Sequence, residues 1–185
     1  MIRIDLPEQD AADPYGYASR HYAREIMEAA GGFSKAVYQH SLLSLREFEG
    51  ARSRTAQING CVICQQFRAA RDAQSMFAAS GQRPGHTIAD NGPAPDEDFY
   101  AAVENWRTSP LFSPRERTAI EFAERFAQEP KVIAEDEDFW ERARALFSDE
   151  EIVDLAHSVA AWVGLGRVAH VLGFDSVCLP FAEVA

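Results

Sequence analysis

The chain has 185 residues, and we expect residues 1–185 to form one domain with its own core. Its 46% hydrophobic and 25% charged residues are ordinary for a globular protein, and the lack of a run of ~18 apolar residues argues against a membrane span. The net charge of −11 argues against nucleic-acid binding. The N-terminal residues do not read as a secretory signal, which predicts a cytoplasmic location.

Helical periodicity dominates the sequence and strand patterns are almost absent, which predicts an all-α fold of about seven or eight helices. The first half is predicted to contain helices at about 15–30, 33–43, 46–58 and 59–80. Gly31 and Gly32 are expected to end the first of these helices, and Gly81 the last. The predicted fourth helix is continuous and carries the most informative motif of the chain.

Residues 82–95 contain three prolines and two glycines, which predicts a loop. The helices predicted after it lie at about 96–106, 113–128, 136–147 and 148–172. Ser113 and Ser148 are each followed three residues later by Glu, the pattern of a capping box at a helix start. Gly164 and Gly166 lie inside the last helix, where each costs about 1 kcal/mol. They predict close approach of another helix, preferentially from the same chain.

The motif Asn59-Gly60-Cys61-Val62-Ile63-Cys64 places two thiols three residues apart at the start of the predicted fourth helix. This spacing lets the two sulfurs meet across one turn, close to a disulfide and reopen. Cytosolic thiols are kept reduced, so a close pair there favours redox chemistry over a structural cross-link.

On a continuous helix, Cys61, Cys64, Arg68 and Arg71 would share one face. The thiols would then lie in a polar groove beside two guanidinium groups. Positive charge and the N-terminus of a helix both lower a thiol pKa and favour the reactive thiolate. The sequence therefore predicts activated thiols.

Two other interpretations of the cysteines remain open. The pair could pack in the core as small apolar side chains. A structural zinc site needs four ligands, and the third cysteine, Cys178, has no close histidine partner. We expect neither a metal nor a cofactor.

The chain resembles the carboxymuconolactone decarboxylase and alkyl hydroperoxidase D-like (AhpD-like) superfamily over roughly residues 33–175. The matching segments are 45–49, which ends in Glu49 twelve residues before Cys61, the dithiol motif itself, and residues 113–119, 147–155 and 165–167. The combination of the cysteine motif with the upstream glutamate and the two later helix starts is more specific than the motif alone.

The resemblance implies an AhpD-like helical bundle that forms a homo-oligomer, as a dimer, trimer or hexamer. It also implies a peroxidase cycle in which Cys64 attacks a hydroperoxide and becomes a sulfenic acid, which Cys61 resolves to a disulfide. Glu49 would belong to a proton relay. An external dithiol or disulfide reductase would restore the thiols, in line with thiol oxidation chemistry.

The sequence departs from the family pattern at Arg68, where the family has a histidine four residues after the second cysteine. Histidine can relay a proton, whereas arginine stays charged. Arg68 either replaces the base by an electrostatic device, or the relay is broken and turnover is weak. His40 is the possible substitute, and His157 and His170 on the last helix are less favoured.

Two other functions remain as alternatives on the same scaffold. One is a decarboxylase or ring-opening lactone enzyme, although those relatives generally lack the cysteine pair. The other is a catalytically impaired oligomeric protein, which the missing histidine favours.

Overall fold

The computed structural model of the chain describes residues 1–176, which contain ten α-helices and no strand. The helices are α1 Pro14–His21, α2 Arg24–His40, α3 Leu45–Asn59, α4 Val62–Gln66, α5 Ala69–Ala78, α6 Glu97–Ala102, α7 Pro114–Gln128, α8 Pro130–Ala134, α9 Glu137–Leu146 and α10 Asp149–Leu172. The prediction of an all-α fold is confirmed. Cys178 lies outside the described residues.

Helix α3 lies at the centre of the molecule and packs against α7 and α10. Eleven of its fifteen residues are buried, so it is enclosed on nearly every side. Its N-terminus is fixed by a capping box, in which Ser44 Oγ accepts from the backbone N–H of Glu47 and the Glu47 carboxylate accepts from that of Ser44. The main apolar core gathers around it from the neighbouring helices and includes Tyr38, Phe48, Phe77, Phe122, Phe139 and Val159.

The starts of α7 and α10 agree with the sequence. Ser113 and Ser148 both form complete capping boxes, with Glu116 and Glu151 respectively. Helix α10 ends at Gly173, whose φ of 76° lies in the left-handed region that glycine adopts most easily. Local side chains therefore define where these two helices begin.

The prediction that Gly31 and Gly32 end a helix is wrong. Helix α1 already ends at His21, and α2 continues through both glycines to His40. The chain instead breaks at Ala23, which has a left-handed φ of 44°. A glycine permits a helix to end but does not force it, and neither Gly31 nor Gly32 adopts a positive φ.

The predicted continuous helix 59–80 is also wrong, because the chain leaves the helical path twice. Gly60 is left-handed with a φ of 69° and ends α3, and α4 then lasts only from Val62 to Gln66. Phe67 and Arg68 are extended before α5 begins. The Arg68 backbone N–H, which would bond the Cys64 carbonyl in a continuous helix, donates instead to the Asp72 carboxylate at 2.8 Å.

Helix α10 has one glycine in close contact and one in open space. A Cβ at Gly166 would lie 2.6 Å from Asn59 Nδ2, so the predicted close approach within the chain, here by α3, is confirmed at this position. No atom lies within 4 Å of the corresponding point at Gly164. By length and composition alone α10 could cross a membrane, although core helices of soluble proteins pass the same test, and 28% of its most apolar window is buried.

Candidate active site

Cys61 and Cys64 form a disulfide at the junction of α3 and α4, with their Cα atoms 5.3 Å apart. The left-handed turn at Gly60 directs the chain so that Cys61 becomes the N-cap of α4. Its Sγ atom accepts a hydrogen bond of 3.3 Å from the backbone N–H of Cys64. Cys61 is fully buried, whereas Cys64 is partly exposed. Cys64 is therefore the sulfur that a small molecule can reach more easily.

Arg52, on the buried face of α3, connects the dithiol segment to the centre of the molecule. Its guanidinium donates to the backbone carbonyls of Cys64 at 2.5 Å and Phe67 at 2.6 Å. It also forms a two-point ion pair with Glu49, at 2.6 and 3.0 Å. Burial opposes the charge on Arg52, but the Glu49 carboxylate raises the pKa of the guanidinium above its ordinary value. Glu49 thus fixes the Arg52 guanidinium, which in turn holds the short α4 segment through the two carbonyls.

Glu49 is fully buried and takes part in this arrangement through Arg52. Its other hydrogen bond comes from the Tyr100 hydroxyl, which donates to Glu49 Oε2 at 2.5 Å. Burial and the Glu49 carboxylate raise the pKa of Tyr100, so this hydroxyl remains a donor. The structure joins Glu49 to the Cys64 backbone by way of Arg52, and its role in a proton relay stays a prediction.

Arg68 and Arg71 do not share a helical face with the thiols, so this prediction is wrong. Arg68 lies 3.8 Å from the centre of the Tyr100 ring and forms two hydrogen bonds with Glu97, at 3.0 and 2.8 Å. The hydrogen bond from Arg68 lowers the pKa of Glu97. Arg71 pairs with Asp72 at 2.7 Å. The break in the helix at residues 67–68 separates these side chains from the dithiol face.

Cys64 lines a cavity of about 250 Å³ whose walls are mainly apolar. The cavity lies between α2, α3 and α10, and its lining includes Tyr38, Ala56, Ile63, Phe67, Met76, Trp162 and Leu165. Arg52 reaches its wall, but the Glu49 carboxylate accompanies this charge. Cys64 thus faces an apolar cavity and not the polar groove that the sequence predicted.

The histidines differ in their relation to the dithiol. His40 lines a separate cavity of about 750 Å³, together with Glu47 and His86. His170 is linked to the dithiol segment through Asp175: its Nδ1 pairs with Asp175 Oδ2 at 2.9 Å, and the same carboxylate oxygen accepts from the Val62 N–H at 3.1 Å. The contacts of the described residues therefore favour His170, which the sequence ranked below His40.

Sequence reasoning missed Arg52 and Tyr100. Arg52 could have been found, because Glu49 and Arg52 stand three residues apart on one helix and so lie on the same face. Tyr100 is 51 residues from Glu49, and no local pattern connects the two. Among residues 1–176, no group of three or more His, Cys, Asp or Glu side chains is arranged to hold a metal ion.

No family model and no curated protein matches the chain. Two solved structures resemble it over most of its length. A protein of unknown function from Agrobacterium tumefaciens, named as a candidate AhpD antioxidant defence protein, is 25% identical with a TM-score of 0.65, covering 97% of this chain and 99% of the other. An uncharacterized peroxidase-related protein from Silicibacter is 18% identical with a TM-score of 0.58, covering 93% and 90%.

Proposed function

The chain has the AhpD-like fold of the carboxymuconolactone decarboxylase superfamily, and we propose that it is a thiol-dependent peroxidase. Its substrate is a hydroperoxide, which it reduces through a dithiol–disulfide cycle of Cys61 and Cys64. The observation that carries this proposal is the position of the pair: two sulfurs at bonding distance, one buried and the other on the wall of a cavity.

Cys64 is assigned the attack because it lines the cavity. Its thiolate attacks the terminal oxygen of the hydroperoxide, the O–O bond breaks, and the alkoxide leaves as an alcohol after taking a proton. The Cys61 thiol, which loses its own proton, then attacks the sulfenic sulfur, so that the S–S bond forms and the hydroxyl leaves as water. An external dithiol or disulfide reductase returns two electrons and two protons to open the disulfide.

Arg52 and Glu49 support this cycle by holding the peptide that carries Cys64. Arg52 binds the Cys64 and Phe67 carbonyls, which would otherwise accept the backbone hydrogen bonds that would continue α4 into α5. We further propose, from the resemblance alone, that the enzyme acts as a homo-oligomer. A catalytically impaired protein is the second candidate, favoured by Arg68. An arginine stays protonated and cannot replace the family histidine as a base, and this guanidinium is already paired with Glu97.

Consumption of a hydroperoxide in the presence of dithiothreitol tests the proposed function. The protein should sustain turnover, and Cys64→Ser should abolish it. Cys61→Ser should consume one equivalent of substrate and stop when it is pre-reduced and freed of dithiothreitol, since nothing then resolves the sulfenic acid; with dithiothreitol present, the reductant itself takes over that step. If Cys64→Ser consumes the hydroperoxide as the unaltered protein does, the thiol mechanism is wrong. If none of the three proteins exceeds the reaction of dithiothreitol alone, the second candidate is favoured.

A further inference from the structure

An aspartate and a histidine from the C-terminal end of the described chain contact the residues on either side of Cys61. Asp175 is buried, and its Oδ2 atom accepts a hydrogen bond from the backbone N–H of Val62 at 3.1 Å. The same oxygen pairs with Nδ1 of His170 at 2.9 Å. A Cβ at Gly60 would lie 3.2 Å from Nε2 of His170, so the imidazole packs on the backbone there. The two side chains therefore adjoin the residues immediately before and after Cys61.

The carboxylate of Asp175 is consequently close to the sulfur of Cys61. Covalent geometry allows at most ~5 Å between the backbone nitrogen of Val62 and Sγ of Cys61, so the bonded carboxylate oxygen lies within about 8 Å of that sulfur. Cys61 is fully buried, whereas Cys64 is partly exposed and lies further along α4. Because water screens buried charges less, the Asp175 carboxylate acts more strongly on Cys61 than on Cys64.

The start of α4 has the opposite effect on Cys61. Cys61 is the N-cap of α4, and its Sγ atom accepts a hydrogen bond from the Cys64 N–H, which favours negative charge on Cys61. The N-terminus of a long helix is equivalent to only about half of a positive charge, and α4 has five residues. Asp175 brings a full negative charge to the same N-terminus, where it occupies the Val62 N–H. The effect of the carboxylate is therefore the larger of the two.

His170 does not cancel the charge of Asp175. The side chain of His170 is 49% exposed, whereas that of Asp175 is 6% exposed. Solvent therefore screens any charge on the imidazole more than it screens the carboxylate. What the imidazole does is hold the carboxylate oxygen beside the Val62 N–H, since the same oxygen contacts both groups.

The other charged side chains near this segment are paired or exposed. Arg52 on α3 forms its ion pair with Glu49. Arg3 lines a cavity of about 500 Å³ together with Asp175, but its side chain is exposed. Arg167 on α10 is exposed as well. Among the residues that the structure describes, the Asp175 carboxylate is thus the charge that acts most directly on the first cysteine of the motif.

We propose that the Asp175 carboxylate, held in position by His170, disfavours negative charge on Cys61 and so directs ionisation in the reduced protein to Cys64. His170 is a positioning residue, since it acts through Asp175. The consequence for catalysis rests on the proposed function. Cys64 carries the thiolate that attacks the hydroperoxide, and Cys61 keeps its proton until the sulfenic acid has formed on Cys64.

Carbon-13 NMR of the reduced protein, labelled at the cysteine Cβ atoms, measures the ionisation of each thiol without any peroxide. Cys64→Ser isolates the Cys61 signal and Cys61→Ser isolates the Cys64 signal, while the signal common to both variants belongs to Cys178. We expect Cys64 to ionise at a lower pH than Cys61. Asp175→Asn keeps an oxygen for the Val62 N–H but removes the charge. It should lower the ionisation midpoint of Cys61 by about 0.5–1.5 pH units and that of Cys64 by less.

Asp154→Asn is the matched control for the loss of charge. Asp154 on α10 also accepts a backbone N–H, that of Leu42 at 2.6 Å, so the substitution removes one charge from the same kind of contact. It should leave both midpoints unchanged. His170→Gln is the control for packing, because it leaves the Asp175 carboxylate in the protein, and it should not lower the Cys61 midpoint.

Three results would overturn the proposal. Cys61 ionises at a lower pH than Cys64, Asp175→Asn leaves the Cys61 midpoint unchanged, or His170→Gln lowers that midpoint as much as Asp175→Asn does. The last result would mean that packing and not charge controls the thiol. The first comparison needs no change at Asp175, so it tests the proposal even if Asp175→Asn does not fold.

The ionisation measurement and the peroxidase measurement can fail separately. The expected order of ionisation in a protein without peroxidase activity would leave the role of Asp175 intact and contradict only the proposed function. Turnover through Cys64 in a protein whose Cys61 midpoint does not respond to Asp175→Asn would contradict only the role of Asp175.

Discussion

Arg68 shows how a residue at a motif position can have a different role from the one its position predicts. It stands four residues after Cys64, where the resemblance expects a histidine. Its guanidinium lies on the Tyr100 ring and pairs with the Glu97 carboxylate. The Glu97 carboxylate offsets the positive charge of Arg68, which would otherwise stabilise a thiolate at Cys64. At this position the structure favours a packing role between α5 and α6.

Arg68→Gln should therefore have little effect on the reaction of the reduced protein with hydroperoxide. We expect the second-order rate constant to change by less than about twofold, because the exposed Glu97 carboxylate already offsets the Arg68 charge, and a charge paired within reach of solvent acts on its surroundings by only ~0–1 kcal/mol. Stopped-flow fluorescence measures the rate, and Arg71→Gln is the matched control from the same segment. A tenfold or larger loss in Arg68→Gln alone would restore the electrostatic role that the sequence suggested.

Single residues of the site could be predicted from the sequence only where the pattern is local. One stretch with fixed spacing contains Glu49, Cys61 and Cys64, so the sequence alone identifies them as candidate site residues. Tyr100 and Trp162 reach the same region from distant parts of the chain, through α6 and α10. Their roles depend on how the helices pack, and no local spacing encodes that.

At the scale of elements, the Arg52 side chain on α3 determines where α4 ends. Residues 59–80 carry ordinary helical periodicity, which is why the sequence predicts one long helix. Arg52 binds the carbonyls of Cys64 and Phe67, and Asp72 binds the Arg68 N–H. These groups compete with the helical hydrogen bonds. Tertiary contacts therefore override local propensity at the segment that contains the dithiol.

The two glycines of α10 offer a test of helix contact within one element. Gly164→Ala should stabilise the protein by about 0.5–1 kcal/mol, because the new methyl group meets open space and the helix gains propensity. Gly166→Ala gains the same propensity but should be about 1–2 kcal/mol less stable than Gly164→Ala, since the methyl group displaces the Asn59 amide from the Trp162 carbonyl.

Urea denaturation of the two alanine variants measures this difference directly. Both substitutions lie in the same helix and leave the net charge unchanged, so each serves as the control for the other. Equal stabilities of the two variants would mean that α3 does not restrict α10 at Gly166.

At the scale of the whole molecule, the sequence predicts the helices better than their arrangement. Capping boxes and apolar periodicity identify α3, α7 and α10, since these signals are local. The position of α3 between α7 and α10 depends partly on ion pairs between distant residues. One of them is the part-buried pair Arg54–Glu124, whose partners are 70 residues apart. Burial opposes ionisation of Glu124, but hydrogen bonds from Arg107, Trp106 and Arg54 lower its pKa below the ordinary 4.5.

This lowered pKa predicts a loss of stability in acid. Because the folded Glu124 holds its proton less tightly than the unfolded one, its contribution is complete above about pH 4.5 and disappears as the pH falls through the folded pKa. Hydrogen bonds from arginine lower the pKa of Glu151 and Asp72 in the same direction, against the effect of burial. We expect urea midpoints to be nearly constant from about pH 7 to pH 5 and to fall steeply below about pH 4.

Glu124→Gln isolates one part of this acid transition. The free energy of unfolding of the variant should fall by about 1–3 kcal/mol at neutral pH, where Glu124 is ionised and accepts its hydrogen bonds. The stability of the variant should also depend less on pH below 5. Glu150→Gln, which removes an exposed carboxylate at the start of α10, is the control and should keep the full dependence. An unchanged acid transition in Glu124→Gln would show that this ion pair does not contribute to it.

The central claim is that Cys64 is oxidised first and Cys61 closes the disulfide. The most direct measurement is the intact mass of the fully reduced protein after one equivalent of cumene hydroperoxide. We predict that the unaltered protein loses two hydrogens, that Cys61→Ser gains one oxygen on Cys64, and that Cys64→Ser stays unchanged. An oxygen on Cys61 in the Cys64→Ser variant, or a reduced protein that the hydroperoxide leaves untouched, would contradict the account.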